Sequence, residues 1–197
     1  RGLKPLVGDD VEFDLTDEKD LEGNITEILP RKNALVRPAA ANVDQALVVF
    51  SITHPEPNLN LLDRFLVMME AQEVPVVICF NKTDLTGGAG EETYRAAYEA
   101  AGYEVLFISA RKGLGLEEVR RRMEGKTTVL AGPSGVGKSS LTNALFPQAA
   151  METGSISKKI QRGKHTTRHT ELFSLGENTY MMDTPGFSSM YIEDMEA

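Results

Sequence analysis

The chain has 197 residues, 41% of them hydrophobic, and a formal net charge of −8, which suits one or two ordinary globular domains. No uninterrupted apolar run approaches the roughly 20 residues that span a bilayer, no signal peptide is visible, and a single cysteine, Cys79, excludes an internal disulfide or a multi-cysteine metal site within these residues. The acidic balance argues against a nonspecific nucleic-acid coat, and a reduced, cytoplasmic setting without a membrane partner is expected.

Residues 1–37 read as short β-strands. Val11-Glu12-Phe13-Asp14-Leu15 alternates with the period of a half-buried strand, and the polar run Thr16-Asp17-Glu18-Lys19-Asp20 follows as a turn. Residues 22–29 and 34–37 supply two more strands, separated by Pro30-Arg31-Lys32-Asn33. Three strands bury a sheet face poorly. Residues 1–38 are therefore expected to be part of a small β-barrel, with Pro38-Ala39-Ala40-Ala41-Asn42 as the linker to a second domain at 39–197.

Beyond the linker, strand and helix patterns alternate, the mark of a parallel α/β sheet. Residues 46–52 and 74–80 are β-branched apolar runs suited to strands buried on both faces, and Cys79 reads as a small buried hydrophobe. Helices are predicted over 59–71 and over 91–101, the second ended by Gly102. A strand at 104–108, a helix at 116–123, a strand at 127–131 and a helix opening at 139 follow. Residues 171–175 and 179–182 pair as a hairpin around Gly176-Glu177-Asn178. Arg120-Arg121-Arg122 falls at a helix C-terminus, where cations suit the helix dipole, and His54 reads as a plain loop residue.

Several of these strand ends carry chemistry. Asn81-Lys82-Thr83-Asp84 follows the strand ending at Phe80. There Asp84 can accept two hydrogen bonds, from the guanine N1–H and 2-amino group; adenine offers neither donor and would leave the carboxylate unpaired. Lys82 would lie along the base, and Asn81 would tie this loop to a phosphate-binding loop. Ser109-Ala110 ends the next strand, where a backbone N–H can meet the guanine O6. Gly132-Pro133-Ser134-Gly135-Val136-Gly137-Lys138-Ser139 matches G-x-x-x-x-G-K-[ST] between an apolar strand and a helix. Its glycines let backbone N–H groups turn around a β-phosphate, and the helix N-terminus adds partial positive charge. Lys138 would bridge the β- and γ-phosphates as a catalytic cation, and Ser139 would ligate magnesium.

Asp183-Thr184-Pro185-Gly186 closes a late strand, where Asp183 can reach magnesium through water and the Gly186 N–H can sense a γ-phosphate. Phe187 follows at the place where GTPases that position water with a glutamine carry it, so the sequence names no catalytic base. Between these motifs lies Lys158-Lys159-Ile160-Gln161-Arg162-Gly163-Lys164-His165-Thr166-Thr167-Arg168-His169. Thr167, or its neighbour Thr166, is placed to be the threonine on magnesium. The cluster Lys158, Lys159, Arg162, Lys164 and Arg168 is a candidate RNA-backbone contact, the plain alternative being a solvated loop.

In an ordinary GTPase the phosphate loop leads and the guanine-reading motif follows. Here the base-reading motifs come first. The order points to an α/β fold: a circularly permuted P-loop GTPase domain preceded by a partial OB-fold β-barrel.

On these residues the chain resembles the bacterial small-subunit ribosome biogenesis GTPases of the RsgA (YjeQ) family. Pro5-Leu6-Val7-Gly8-Asp9 looks like the family's OB-fold. The run from Gly132 through Ser140, the stretch Arg162 through His169, and Asp183-Thr184-Pro185-Gly186-Phe187 look like its phosphate loop, switch I and switch II. The resemblance implies a slow GTPase that uses GTP/GDP with Mg2+, is stimulated by the small (30S) ribosomal subunit and acts late in its maturation; the subunit with its 16S rRNA is the expected partner, and a monomer is expected. It also implies a zinc domain after the G domain; no cluster of zinc ligands exists in these residues, so zinc is assigned to none of them.

Two other readings use the same motifs. One is a nucleotide-gated rRNA-binding assembly factor for which turnover is incidental, which multiple-turnover assays with and without small subunits separate from an enzyme. The other is a guanylate-type nucleotide kinase, since the phosphate loop fits one; a kinase has no use for residues 81–84 at a strand end.

Overall fold

A computed structural model of the chain describes residues 4–17, 22–36, 38–146 and 170–184. In chain order they form β1 (Val11–Asp17), β2 (Glu22–Ile28), β3 (Ala34–Leu35), β4 (Ala40–Ala41), β5 (Gln45–Ser51), α1 (Leu59–Ala71), β6 (Val76–Asn81), α2 (Glu91–Glu99), β7 (Glu104–Phe107), α3 (Leu116–Met123), β8 (Thr127–Ala131), α4 (Lys138–Leu145), β9 (Glu171–Gly176) and β10 (Thr179–Asp183). From β5 onward the predicted alternation of strand and helix is present, with boundaries moved by a residue or two. No helix among the described residues is long and apolar enough to cross a membrane.

One six-stranded sheet runs in the order β7-β6-β5-β8-β10-β9, parallel except for the β9–β10 hairpin. Successive side chains of a strand face opposite ways, and here both directions lead into a core. Val48 and Phe50 of β5 and Ile78 and Phe80 of β6 join Leu62, Phe65 and Met69 of α1 and Tyr98 of α2 on one face. Leu47 and Val49 of β5 and Val77 and Cys79 of β6 join Val119 and Met123 of α3 and Leu141 and Leu145 of α4 on the other. Cys79 is fully buried, as its apolar surroundings predict, and that burial pushes its thiol pKa far up. Helix α1 is started by Asn58, whose side chain accepts from the Leu61 N–H at 3.1 Å; losing such a cap costs about 1 kcal/mol.

The route of the chain through this sheet decides where a ligand can sit. From β5 the chain steps outward through α1 to β6 and through α2 to β7. Helix α3 then carries it back to β8, on the other side of β5. The strand order reverses between β5 and β8, and open α/β sheets bind ligands outside the carboxyl ends of the strands at such a point.

Two expectations at the N-terminal side are corrected. Residues 38–42 are not a free linker: Ala40 and Ala41 form β4, pair with Leu35 and Ala34, and are wholly buried against the sheet core. The strand expected over 34–37 shrinks to Ala34–Leu35. Side-chain amides hold this turn, with Asn33 Nδ2 donating to Val43 O at 2.7 Å and Asn42 Nδ2 donating to Gly8 O at 2.9 Å. Arg31 grips Asp9 with two bonds of 2.6 and 2.9 Å and also donates to Lys4 O at 2.7 Å. That pair holds the Asp9 carboxyl below its ordinary range, through the Arg31 hydrogen bond first. Beyond it, β1 and β2 form their own antiparallel hairpin, separate from the large sheet.

Candidate functional site

The loop between β8 and α4 folds tightly against neighbouring backbone. Gly132 has φ of 148°, and a Cβ there would run into the carbonyl oxygen of Val49 in β5. Gly137 has φ of 98°, and a Cβ there would strike the side-chain amide of Asn81. Both positions require glycine, for conformation and for space. Between them Val136 is buried and Pro133 half-buried, while Ser134 and Gly135 are exposed. Helix α4 starts with no side-chain cap and no acidic residue in its first turn. Its leading N–H groups, with Ser139 and Ser140 open to solvent, face an anion's natural seat. Lys138 folds its ammonium back onto the loop, donating to Gly132 O at 2.6 Å and Pro133 O at 2.9 Å.

Residues 81–84 meet this loop, although some fifty positions separate them in the chain. Asn81, buried at the end of β6, donates through Nδ2 to Val136 O at 3.0 Å. Its Oδ1 accepts from Lys82 N at 2.8 Å and from Ala110 N at 3.0 Å. Lys82, at φ of 70°, sends its ammonium to Gly135 O at 2.7 Å and to His54 O. Thr83 anchors the turn to the next strand end, its hydroxyl donating to Ile108 O at 3.0 Å. Asp84 stands half-buried, and the buried Ser109 hydroxyl donates to its Oδ1. The Ser109 oxygen itself accepts from Lys112 N at 3.1 Å, which fixes the direction of its proton. One carboxylate oxygen of Asp84 is thereby oriented, and the other is left for a donor.

One detail differs from expectation. The Ser109 N–H is taken by Leu114 O at 3.1 Å and the Ala110 N–H by Asn81 Oδ1. Buried backbone donors find partners, and these found protein ones. A base oxygen reaching Ala110 has to share its N–H with Asn81.

Asp183 ends β10, opposite Leu130 of β8 and Glu171 of β9. Burial raises its carboxyl pKa, Lys138 opposes that rise and Glu171 adds to it. Burial likewise lowers Lys138, against the pull of Asp183. Both groups thus lack some of the solvation that their charges need, and an arriving phosphate and divalent cation would supply partners to both. Thr184 is buried and donates to Leu130 O at 2.8 Å, pinning the end of this strand to the start of the phosphate loop. Thr166, Thr167, Gly186, Phe187 and the basic cluster from Lys158 to Arg168 lie outside the described residues.

Sequence reasoning missed two contributors. His54 carries no motif, yet its carbonyl shares the Lys82 ammonium with the phosphate loop. Ser51 braces the loop that carries His54, donating to Pro55 O at 2.7 Å. The one signal that could have found them is position, since Ser51 ends β5 and His54 lies just past it, at the switch point. Arg120 proved structural: it donates to Ala144 O at 2.9 Å and Leu145 O at 3.1 Å, at the end of α4, besides pairing with Glu117.

Comparison with known proteins identifies the family and the fold. The sequence profile of the RsgA GTPase family matches residues 28–193. A protein of Agathobacter rectalis called small ribosomal subunit biogenesis GTPase RsgA is 56% identical over 95% of this chain and 62% of its own length. A protein of Alkaliphilus metalliredigens with the same name is 52% identical over 97% of this chain and 65% of its own. The chain thus spans under two thirds of the length of these curated relatives. Among solved structures, YjeQ from Thermotoga maritima superposes with a TM-score of 0.71 at 36% identity, covering 94% of this chain and 62% of that one. YloQ, described as a circularly permuted GTPase, gives 0.70 at 37% identity, covering 98% and 61%. The fold is that of a circularly permuted P-loop GTPase, and the chain belongs to the RsgA GTPase family.

Proposed function

We propose that the protein binds guanine nucleotide with Mg2+ at the carboxyl edge of its sheet, hydrolyses GTP to GDP and phosphate, and serves late maturation of the small (30S) ribosomal subunit. The observation that carries the reading is the double tie between the two motifs, Asn81 to Val136 O and Lys82 to Gly135 O. It ties the segment that carries Asp84 to the glycine-rich loop, which supports reading the two as the base and phosphate ends of one nucleotide site. In this reading Asn81, Lys82, Thr83, Asp84, Ser109 and Ala110 surround the base. Residues Gly132 through Ser140 hold the phosphates, and Thr167, Asp183 and Gly186 complete the γ-phosphate side. Residues 1–38 contribute strands of an OB-fold barrel, and 39–197 form the permuted G domain.

The donors fit magnesium. Ser139 and Asp183 offer hard oxygens, and the burial-raised carboxyl of Asp183 is short of positive charge. Magnesium is ordinarily held by one or two carboxylates together with substrate phosphates, and Asp183 would be such a carboxylate here. When bound, the ion would draw negative charge from the phosphate oxygens. The protein's own part is electrostatic: backbone N–H groups of the loop and the Lys138 ammonium are set in place before charge develops on the transferring group. Asp84 rejects adenine because its free oxygen would meet no donor.

The basic segment from Lys158 to Arg168 is proposed as the 16S rRNA contact, and the protein as a cytoplasmic monomer. The testing experiment measures GTP turnover alone, with purified small subunits and with large subunits. Stimulation by the small subunit only is the expected result. Equal stimulation by both, or ATP bound as tightly as GTP, counts against the reading.

A further inference from the structure

Away from the nucleotide edge, helices α1 and α2 do not close against each other. Between them lies a cavity of about 470 Å3, within the roughly 300–1,000 Å3 of pockets that enclose a ligand. Its walls are Leu59, Leu66 and Val67 from α1 and Tyr94, Tyr98 and Tyr103 from the α2 side, with Asp63 among them. Leu59 is 37% exposed and Val67 51%, so the apolar rim stands open.

The charge that lines this groove is negative: Asp63 is among its walls, and Glu70, outside the lining, is tied to the lining residue Tyr103. Tyr98 donates its hydroxyl to Asp63 Oδ1 at 2.9 Å, and Tyr103 donates to Glu70 Oε1 at 3.3 Å. No lysine or arginine lines the cavity. The nearby Arg95 is bound to Glu99 at 3.0 Å and lies over the Phe107 ring at 4.9 Å. One lining carboxylate, Asp63, and a second bonded to the lining Tyr103, Glu70, thus stand beside aromatic rings and aliphatic side chains. Such a surface complements side chains that join an apolar stem to a positive head.

We propose that the α1–α2 groove is a docking site for a short, basic, amphipathic helix of a partner protein, its aliphatic side chains seated against Leu59, Leu66 and Val67 and its cations on Asp63 and Glu70. The spacing defines the partner further. Asp63 and Glu70 lie seven residues apart on α1, about 10 Å at 1.5 Å per residue, so a helix laid along the groove meets both with cations seven residues apart. None of the lining residues belongs to the nucleotide site, and the proposal stands independently of it.

The test titrates the 197-residue chain, GDP added, with a synthetic helical peptide carrying arginines seven residues apart and leucines between them. Amide chemical shifts locate the peptide, and fluorescence anisotropy measures its affinity. Saturable shifts confined to residues 59–71 and 91–103 are expected. Val67→Lys, an exposed change that adds repulsion, and Asp63→Asn should each weaken the peptide about tenfold while GDP affinity stays that of the parent. A version with glutamates for arginines should not bind. The proposal is overturned if the glutamate peptide binds equally, if Val67→Lys leaves affinity unchanged, or if single-stranded RNA takes over the same amides. Self-association of the chain that Val67→Lys abolishes would also overturn it, by making a second copy the occupant. Loss of GDP binding with intact peptide binding would count against the nucleotide reading alone.

Discussion

Strands β1 and β5 are each seven residues long, and both alternate side chains between two faces. All seven residues of β5 are buried, whereas Phe13 and Leu15 of β1 remain 57% and 55% exposed. Ile25, opposite Phe13 on β2, is 57% exposed. The residues account for part of the difference, since β1 alternates polar and apolar side chains while β5 is apolar on both faces. Phe13 and Leu15, however, are left exposed for want of a cover among the described residues. Strand β5 is paired on both sides and covered by helices that the same stretch of chain supplies. The β1–β2 hairpin has one partner and, among the described residues, nothing over its apolar face. A two-stranded hairpin is marginal alone, so alternation announces a strand without announcing what will cover it.

The sharpest way to break this comparison is one substitution made in both regions. Phe50→Ala in β5 should cost about 3–5 kcal/mol in denaturant unfolding, the range for emptying a packed aromatic site. Phe13→Ala in β1 should stay within about 0.5 kcal/mol, as exposed changes do. Equal losses would mean that the hairpin face is covered in solution.

The same sheet should carry the chemistry at its carboxyl edge, where changes ought to alter binding with little effect on folding. Asp84→Asn presents an amide where the guanine needs an acceptor, so GTP should weaken by roughly 3–5 kcal/mol. Xanthine has a carbonyl in place of the 2-amino group, and the variant should prefer XTP, measured by competition. A variant that still prefers GTP over XTP would remove Asp84 from the base site. Lys138→Ala should lower GTP turnover by about 10²–10³-fold, the scale for deleting one preorganised charge donor. Its unfolding midpoint gives the control.

How much of this was readable from residues alone follows from what is local. The phosphate loop was legible because its glycines, lysine and flanking apolar strand are consecutive, and the sheet because β-branched runs alternate with amphipathic helices. Ala40 and Ala41 were read as linker because alanines beside a proline carry no period; only packing against Leu35 and Val43 makes them strand. The Lys82 bridge to His54 joins segments that no spacing connects, and strand order alone brings them together. The competition for the Ala110 N–H was likewise invisible, since it depends on where Asn81 points.

The smallest expected effects concern two aspartates whose titrations oppose each other. Asp9, in the N-terminal region, is held below its usual value of 3.8 by Arg31, so its ionised form is favoured in the fold. Its contribution is present above pH 3.8 and lost as pH falls through the depressed value. Asp183, at the sheet edge, is raised above 3.8 by burial even with Lys138 beside it. The fold binds that proton more tightly than the unfolded chain does, so its contribution is present below pH 3.8 and lost as pH rises through the raised value. At pH 7 without nucleotide, Asp9→Asn should therefore lower the Tm and Asp183→Asn should raise it. Because the direction of the Asp183 shift already includes Lys138, leaving that lysine without its carboxylate does not reverse the sign. The Asp183→Asn gain should shrink toward zero near pH 3.8, whereas the Asp9→Asn loss should persist until pH falls below it. Added GDP and Mg2+ should erase the Asp183→Asn advantage, since the parent carboxylate then has the cation its burial calls for. A Tm for Asp183→Asn below that of the parent, in the absence of nucleotide, would show that this carboxylate is stabilising in the fold and that the sheet edge is not the strained region of the pair.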